Sequence, residues 1–106
     1  MGKFLIKASY TAEGVRGLLK EGGTKRVAAV DAAIQAAGGR LEAFYFAFGD
    51  TDAYVVIDAV DATTAAAIAL TVGASGAVHQ STTMLMTPAE VDQACGKTVS
   101  YRAPGH

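Results

Sequence analysis

The chain has 106 residues, a length that fits one domain and is too short for a second hydrophobic core. Its formal net charge of -1 argues against nucleic acid as a partner, because nonspecific binding to a phosphate backbone needs clustered lysines and arginines. Hydrophobic residues make up 51% of the chain and charged residues 18%, an apolar balance for so small a protein. We therefore expect part of the surface to meet a partner.

The sequence lacks the usual signals for secretion, membrane insertion and disulfide formation. Residues 1–6 lead directly into a strand pattern, and the longest uncharged stretch, residues 62–89, is interrupted by Thr, Ser, Gly and Gln. Cys95 is the single cysteine, so neither an intrachain disulfide nor a zinc site built from cysteines is expected. We expect a cytoplasmic domain over residues 1–96, without membrane contact, and a flexible tail over residues 97–106.

The first predicted elements are a strand and a short helix. Residues 3–10 alternate between an apolar set and a mixed set of side chains, which is the period of a strand. Thr11 is a suitable N-cap for a following helix, and Glu13 suits its first turn because the helix dipole attracts a carboxylate there. The apolar set of the strand consists of Phe4, Ile6, Ala8 and Tyr10.

A pair of glycines, Gly22-Gly23, predicts a break before a second helix, because glycine disfavours helix interiors. Thr24 is the expected cap of this second helix, and Gly38-Gly39 marks its expected end. Between these points apolar residues recur at steps of three and four, which predicts one buried stripe. The stripe consists of Val27, Val30, Ile34 and Ala37.

Two strands joined by a tight turn are predicted next. Residues 41–48 and 53–60 are rich in aromatic and β-branched side chains, and residues 49–52 have the composition of a hairpin turn. Asp61 then caps an uncharged, alanine-rich helix that is expected to run to Val72. This helix is either an ordinary core helix or a further subunit contact.

The last predicted elements are a strand over residues 77–86 and a short helix that ends near Cys95. Thr87 and Glu90 form a capping box, and Pro88 suits the first helical position, so this start signal is specific. The order of elements predicts a ferredoxin-like β-α-β-β-α-β fold of the α+β class. In this fold the helices lie on one face of a four-stranded antiparallel sheet.

The other face of that sheet has no cover in the chain. The strand over residues 41–48 is apolar on both sides, so neither side suits contact with water. The pattern places Leu41, Ala43, Tyr45 and Ala47 on one side and Phe44, Phe46 and Phe48 on the other. Contiguous exposed apolar patches usually mark interfaces, so we expect a homodimer, or a higher oligomer, packed sheet to sheet.

Several segments resemble the GYD domain family: Tyr10–Gly14, Leu41–Tyr45, Gly49–Asp52 and the alanine-rich helix after Asp61. The resemblance covers nearly the whole chain and implies a dimeric α+β barrel of ferredoxin-like fold, found mostly in bacteria. The family is named after Gly, Tyr and Asp at the hairpin, where this chain has Thr51 in place of the tyrosine. A chemical role of that tyrosine would be lost here or supplied by another tyrosine, whereas the Gly and Asp also fit a purely structural turn.

Motifs for a nucleophilic enzyme, a P-loop or a metal site are not found, and no cofactor or metal is expected. The segment over residues 21–26 is interpreted as a helix boundary, and the less favoured alternative is an anion site at the start of the second helix with Lys25 and Arg26 assisting. The main ligand-binding candidates are polar side chains within apolar strands: Lys7, Tyr45, Tyr54, Asp58 and His79. Lys7 and Asp58 lie on strands expected to be neighbours, where they form an ion pair or line a cavity between two sheets. His79 is the single histidine inside the predicted fold and lies mid-strand in an otherwise uncharged segment, which makes it a candidate for proton transfer, although a partly exposed strand histidine is the more common explanation.

Two functions fit these observations. The first, which we favour, is a noncatalytic homo-oligomeric domain that binds a small, partly apolar molecule between sheet faces or serves assembly only. The second is a cofactor-independent enzyme, such as the small monooxygenases and isomerases that similar dimeric α+β barrels support. An enzyme would need a His or Asp with a shifted pKa facing a cavity of roughly 300 Å³ or more. Phe44 and Phe46, if they faced the second sheet, would fill that cavity.

Overall fold

The computed structural model describes residues 2–106, except for the side chain of Ala59. Helices and strands follow one another in the order β-α-α-β-β-α-β-α. The strands are β1 (Gly2–Tyr10), β2 (Arg40–Phe46), β3 (Ala53–Val60) and β4 (Val78–Leu85). The helices are α1 (Ala12–Glu21), α2 (Gly23–Ala36), α3 (Ala62–Ala74) and α4 (Pro88–Cys95). Within the described residues, no helix has the length and apolarity needed to span a bilayer.

The four strands form one antiparallel sheet in the order β2-β3-β1-β4. β1 and β3 are therefore the central strands, and β2 and β4 are the edges. Helices α2 and α3 pack on one face of this sheet, through Ile34 and Ala65 respectively. The predicted ferredoxin-like α+β fold is confirmed.

The hydrophobic core lies between the sheet and these helices. Ile57 of β3 is fully buried at its centre, and Ile34 of α2 and Phe4 of β1 belong to the same cluster. A smaller cluster, made by Ala8, Ala53 and Val78, lies at the other end of the strands. Burying one large aliphatic side chain contributes roughly 1.5–3 kcal/mol, so a few such residues suffice to fix α2 on the sheet.

An extra residue in β2 changes which side chains face the core. Leu41 pairs with Ile57 and Ala43 pairs with Val56, so two steps on β2 match one step on β3 and Glu42 forms a bulge. Leu41 therefore packs on the core, on the same side as Phe44. The prediction that Leu41 shares a face with Ala43 and Tyr45 is wrong, because alternation along β2 is broken at the bulge.

Three of the four predicted helix caps are confirmed. The side chains of Thr11, Asp61 and Thr87 accept hydrogen bonds from the backbone N–H groups of Gly14, Thr64 and Glu90, and the capping box at Thr87 is complete. The predicted cap at Thr24 is wrong. Helix α2 already begins at Gly23, because Gly22 at φ 83° turns the chain directly from α1 into α2 without a side-chain cap.

The end of the chain projects from the rest of the molecule. We call residues 88–106, which comprise α4 and the segment after it, the C-terminal arm. All eight residues of α4 are exposed. The radius of gyration is 16.9 Å and the longest dimension is 57 Å, whereas a compact domain of about 100 residues has a radius near 13 Å. The arm therefore adds length to the molecule without adding to its core.

Candidate functional site

Three of the predicted site residues lie side by side on the sheet face that points away from α2 and α3, which we call the free face. Tyr54 of β3 pairs with Lys7 of β1 on one side and with Tyr45 of β2 on the other. Tyr45 is 72% exposed and Tyr54 40% exposed. The register thus forms a row of two tyrosines and a lysine across the free face.

His79 lies near the end of the same row. It pairs with Ser9 of β1, while Lys7 pairs with Ser81, two residues further along β4. His79 and Lys7 are therefore diagonal neighbours on one face, at a spacing of roughly 7–8 Å between backbones. Four of the five predicted site residues share one region of the free face, and His79 is exposed there.

Asp58 lies at the opposite end of the free face, and its predicted ion pair with Lys7 is wrong. Asp58 accepts a 2.6 Å hydrogen bond from Arg40 and contacts Lys3 at 3.4 Å. Lys7 pairs with Tyr54, four residues along β3 from Asp58, which is a distance of about 13 Å. The strand register, which the sequence did not reveal, selects Lys3 and Arg40 instead.

Glu42 completes this group of charges. Its carboxylate accepts a 2.6 Å hydrogen bond from Lys3. This hydrogen bond raises the pKa of Lys3, and the charge of Asp58 acts in the same direction while partial desolvation opposes it. Lys3, Arg40, Glu42 and Asp58 together form an ion-pair network whose charges balance, so this end of the free face attracts no particular ligand charge.

An apolar cavity lies on the other side of the sheet, between β1, β3 and the helices α2 and α3. Its volume is about 180 Å³. Phe44 lies at its β2 side, and Phe44 and Phe46 contact each other with ring centroids 5.0 Å apart. Both phenylalanines face the helices, so the prediction that they could fill a space between two sheets is wrong. We call this space the sheet–helix cavity.

Tyr10 and Arg26 supply the polar lining of the sheet–helix cavity, as far as the described residues go. Burial raises the pKa of the Tyr10 hydroxyl, and the adjacent Arg26 guanidinium opposes this shift by charge and by hydrogen bonding. Arg26 also lies 4.0 Å from the carboxylate of Glu21, with over a third of its side chain exposed. The cavity therefore has apolar walls and one polar corner, where a neutral hydroxyl meets a cation.

The turn between β2 and β3 fixes the position of this polar corner. The backbone N–H of Tyr10 donates a 2.8 Å hydrogen bond to the Asp52 carboxylate, and the N–H of Asp52 donates to the carbonyl of Ala8 at 2.9 Å. Ser9 adds a hydrogen bond from its hydroxyl to the carbonyl of Asp50 at 3.0 Å. Asp52 thus ties the hairpin to the end of β1, which gives the aspartate of the resemblance a structural role beyond making a turn.

A groove between α2 and α3 adjoins the sheet–helix cavity. The groove has a volume of about 350 Å³ and is lined by alanines, threonines and two larger aliphatic residues. Ala33, Ile68 and Val72 line both the groove and the sheet–helix cavity. The shared residues place the groove directly beside the sheet–helix cavity.

The polar corner was not among the predicted ligand-binding residues. Tyr10 was assigned to the apolar face of β1, and Arg26 was noted only for an anion site at the helix start. The sequence did contain one signal: Arg26 precedes Val30 by four residues, so it lies in phase with the buried stripe of α2. A cation in phase with an apolar stripe indicates a charge at the edge of the core.

These features define a single ferredoxin-like α+β domain with an apolar cavity under its helices and an uncovered sheet face. The model of the GYD domain matches residues 4–95. The chain belongs to the GYD domain family, as the resemblance implied. No curated protein and no solved structure gives a significant match to the chain.

Proposed function

We propose that this domain binds a small apolar molecule that carries a carboxylate, and that it holds this ligand in the sheet–helix cavity. The observation that carries the proposal is the combination of apolar walls with a single cation, Arg26, around one partly open space. Ligand sites in proteins usually combine an apolar lining with a few polar groups that fix orientation. The proposal retains the small, partly apolar ligand expected from the sequence and moves it to the opposite side of the sheet.

The cavity volume limits the size of the ligand. An apolar cavity of about 150 Å³ is known to hold one benzene molecule. The 180 Å³ of the sheet–helix cavity therefore suits a body of that size with one small substituent. Benzoate is a suitable probe, because its ring matches the apolar walls and its carboxylate matches the polar corner.

The polar corner favours an anion over a neutral group. Arg26 presents donors in a planar fork that matches the two oxygens of a carboxylate. Because burial raises the pKa of Tyr10, its hydroxyl keeps its proton at neutral pH and can donate a hydrogen bond to the same carboxylate. Glu21, 4.0 Å from Arg26, is 40% exposed and can move into water when a ligand carboxylate takes its place.

Binding is favoured over catalysis by the chemistry of the cavity lining. Tyr10 and Arg26 are a hydrogen-bond donor and a fixed cation, and general acid–base catalysis needs a group that titrates near the working pH. His79, the histidine among the predicted site residues, lies on the free face and so on the far side of the sheet from this cavity. A cofactor-independent enzyme is therefore the less supported alternative for the sheet–helix cavity.

The test is a titration of the uniformly 15N-labelled protein with benzoate and with benzamide, followed by two-dimensional NMR. Benzamide has the same shape as benzoate but no charge. We expect benzoate to bind at least about tenfold more tightly, since a hydrogen bond to a charged group contributes roughly 1.5–3 kcal/mol. The shifted amides should belong to α2, α3 and the end of β1.

Two variants and one control make this test specific. Arg26→Gln should remove the preference for benzoate, and Ala33→Leu, which fills space between α2 and α3, should weaken both probes. Arg16→Gln, an exposed arginine of α1, is the matched control and should behave like the wild type. Equal affinity for both probes in the wild type, or shifts confined to the free face, would contradict the proposal.

A further inference from the structure

We propose that the ligand of this domain is a straight-chain carboxylate of about ten to twelve carbons, whose chain lies in the groove between α2 and α3. The inference rests on the proposed function, because it keeps the carboxylate at the polar corner, and it narrows the class of ligand. Three observations support it: the order of the lining residues along the two helices, the gap between these helices, and the position of Arg26 at one end of the lining.

Helices α2 and α3 run in opposite directions across the sheet. Helix α2 begins beside Phe46 and reaches the main core cluster with Ile34. Helix α3 begins at that main cluster with Ala65, and it reaches the smaller cluster, where Phe46 also packs, with Val72. The start of α2 is therefore next to the end of α3, and residues that line a space between them can be ordered along one direction.

The lining residues of the sheet–helix cavity and of the groove form one series in this direction. On α2 the cavity lining begins at Arg26, the groove lining ends at Ala37, and Ala33 between them lines both spaces. On α3 the groove lining begins at Thr64, and Ile68 lines both spaces. The groove thus extends the cavity lining away from Arg26. The eleven steps from Arg26 to Ala37 correspond to about 16 Å at the rise of an α-helix.

The gap between α2 and α3 leaves room for a hydrocarbon chain. Both helices contact the sheet more than they contact each other. The groove, at about 350 Å³, is nearly twice as large as the cavity of about 180 Å³. Ile68 and Val72 are only half-buried at this gap, and Ala33 and Ala67 are exposed. An alkyl chain laid between the helices would therefore remove apolar surface from water.

The charges of the lining fit a carboxylate with an apolar tail. Among the described residues that line the two spaces, Arg26 is the only charged one, and it lies at one end of the series beside Tyr10. An ionised head group therefore has one place to bind. The hydroxyl of Thr71, in the groove, already donates a 2.8 Å hydrogen bond to the carbonyl of Ala67. It therefore requires no polar group from a ligand.

The length of the series along α2 sets the length of the chain. Carbon–carbon bonds of about 1.5 Å at angles near 111° advance about 1.25 Å per bond in an extended chain. A span of about 16 Å, less the separation between the carboxylate and Arg26, corresponds to about ten to twelve carbons. Benzoate occupies the cavity alone, so a longer alkanoate differs from it by its use of the groove.

The test compares benzoate, hexanoate, octanoate and decanoate in NMR titrations of the full 15N-labelled chain, each below its micellar concentration. We expect the affinity to rise about fourfold for every two carbons added, because an open groove buries roughly half of each CH2 group. Decanoate should also shift the amides of Thr64 and Ala37, at the end of the groove that benzoate does not reach. Equal affinities of hexanoate and decanoate, with benzoate bound, would overturn this ligand class and leave the proposed function in place. Failure of benzoate and of all three alkanoates would overturn both.

Two variants of α3 locate the chain of the ligand. Ala67→Leu fills the groove from a position that does not line the cavity, so it should weaken decanoate at least about tenfold, with a far smaller effect on benzoate. Ala66→Leu is the matched control, because Ala66 is exposed on the same helix and lines neither space, and it should bind every probe like the wild type. Unchanged decanoate affinity in Ala67→Leu, or an equal loss in Ala66→Leu, would show that the chain does not lie in the groove.

Discussion

Gly14 controls how closely α1 approaches the start of β4. A Cβ atom at this position would lie 2.1 Å from the carbonyl oxygen of Ala77, a distance that forces the backbone to move. Thr11 also fixes the start of α1 against this segment. Its backbone N–H donates a 2.9 Å hydrogen bond to the carbonyl of Ala77, and its hydroxyl donates a 2.9 Å hydrogen bond to the carbonyl of Gly76. The glycine that the family resemblance included is thus required by packing.

Gly14→Ala should destabilise the protein by about 1–3 kcal/mol or more, the range for overpacking of a filled site. Gly17→Ala is the matched control in the same helix, because its Cβ would have no neighbour within 4 Å. The control should stabilise α1 by up to about 1 kcal/mol, the difference in helix propensity between glycine and alanine. Urea denaturation followed by circular dichroism measures the free energy of unfolding of both variants. Similar effects of the two substitutions would refute the packing explanation.

Asp61 makes the start of α3 sensitive to acid. The hydrogen bond from the Thr64 backbone N–H lowers the pKa of the Asp61 carboxyl below its ordinary value. A carboxyl with a lowered folded pKa stabilises the protein above its unfolded pKa of about 3.9, and this stabilisation is lost as the pH falls through the folded value. The first turn of α3 contains no acidic residue, so Asp61 alone makes the stability of this helix start depend on pH.

Asp61→Asn keeps a good cap and removes its titration. At pH 7 the wild type should therefore be the more stable protein, and at pH 3 the difference should shrink or change sign. Thermal unfolding at both pH values measures this difference in stability between the wild type and the variant. Asp50→Asn, in the exposed turn after β2, is the control for the loss of one charge. An unchanged difference between the wild type and Asp61→Asn across this range would disprove the role of the carboxylate.

At the scale of elements, the bulge in β2 determines what each end of that strand does. Before Glu42 the strand presents Arg40 to the free face and Leu41 to the core, and after it the strand presents Tyr45 to the free face and Phe44 to the core. If the same residues formed a regular strand, Leu41 and Phe44 would lie on opposite faces, because side chains alternate and a shift of one residue exchanges the two faces of a strand. The bulge is therefore what allows β2 to be apolar at Leu41 and at Phe44.

Deletion of Glu42 should make β2 a regular strand in which Leu41 stands two residues before Phe44, so that both side chains still face the core. The free energy of unfolding should therefore change little, because only an exposed ion pair is lost. Glu42→Gln is the control: it keeps the bulge and loses the same ion pair. Chemical denaturation compares the two variants. A deletion variant that is less stable than Glu42→Gln by roughly 1.5–3 kcal/mol, the contribution of one buried leucine, would mean that Leu41 needs the bulge to reach the core.

The sequence predicted elements well where the signal is local. The limits of β3 and α4 follow directly from a turn and a capping box next to them, and both agree with the structure. The strand before the turn was predicted to reach Phe48, but β2 ends at Phe46 and Phe48 is fully exposed. Aromatic composition alone extended that prediction, since a side chain with high strand propensity gives no information about whether it has a pairing partner.

At the scale of the whole molecule, topology was predictable and the site was not. The sheet order follows from connection rules that need only the sequence of elements. The neighbours of Asp58 depend on the register between strands, and the sheet–helix cavity depends on the separation of α2 and α3. Neither the register nor the separation is encoded in a local sequence pattern. The register places Lys7, Tyr45 and Tyr54 side by side on the free face, but their role in binding a ligand stays a prediction.

The central strand β1 offers a further consequence for protein engineering. Its even-numbered residues from Phe4 to Tyr10 face the helices, and its odd-numbered residues from Lys3 to Ser9 lie on the free face. Substitutions at alternate positions of one strand therefore act on two different surfaces. Under the ligand site proposed for the cavity and the sheet-to-sheet contact expected from the sequence, libraries restricted to even positions would alter ligand preference, and libraries restricted to odd positions would alter the choice of partner. The two properties can then be selected separately within the eight residues from Lys3 to Tyr10.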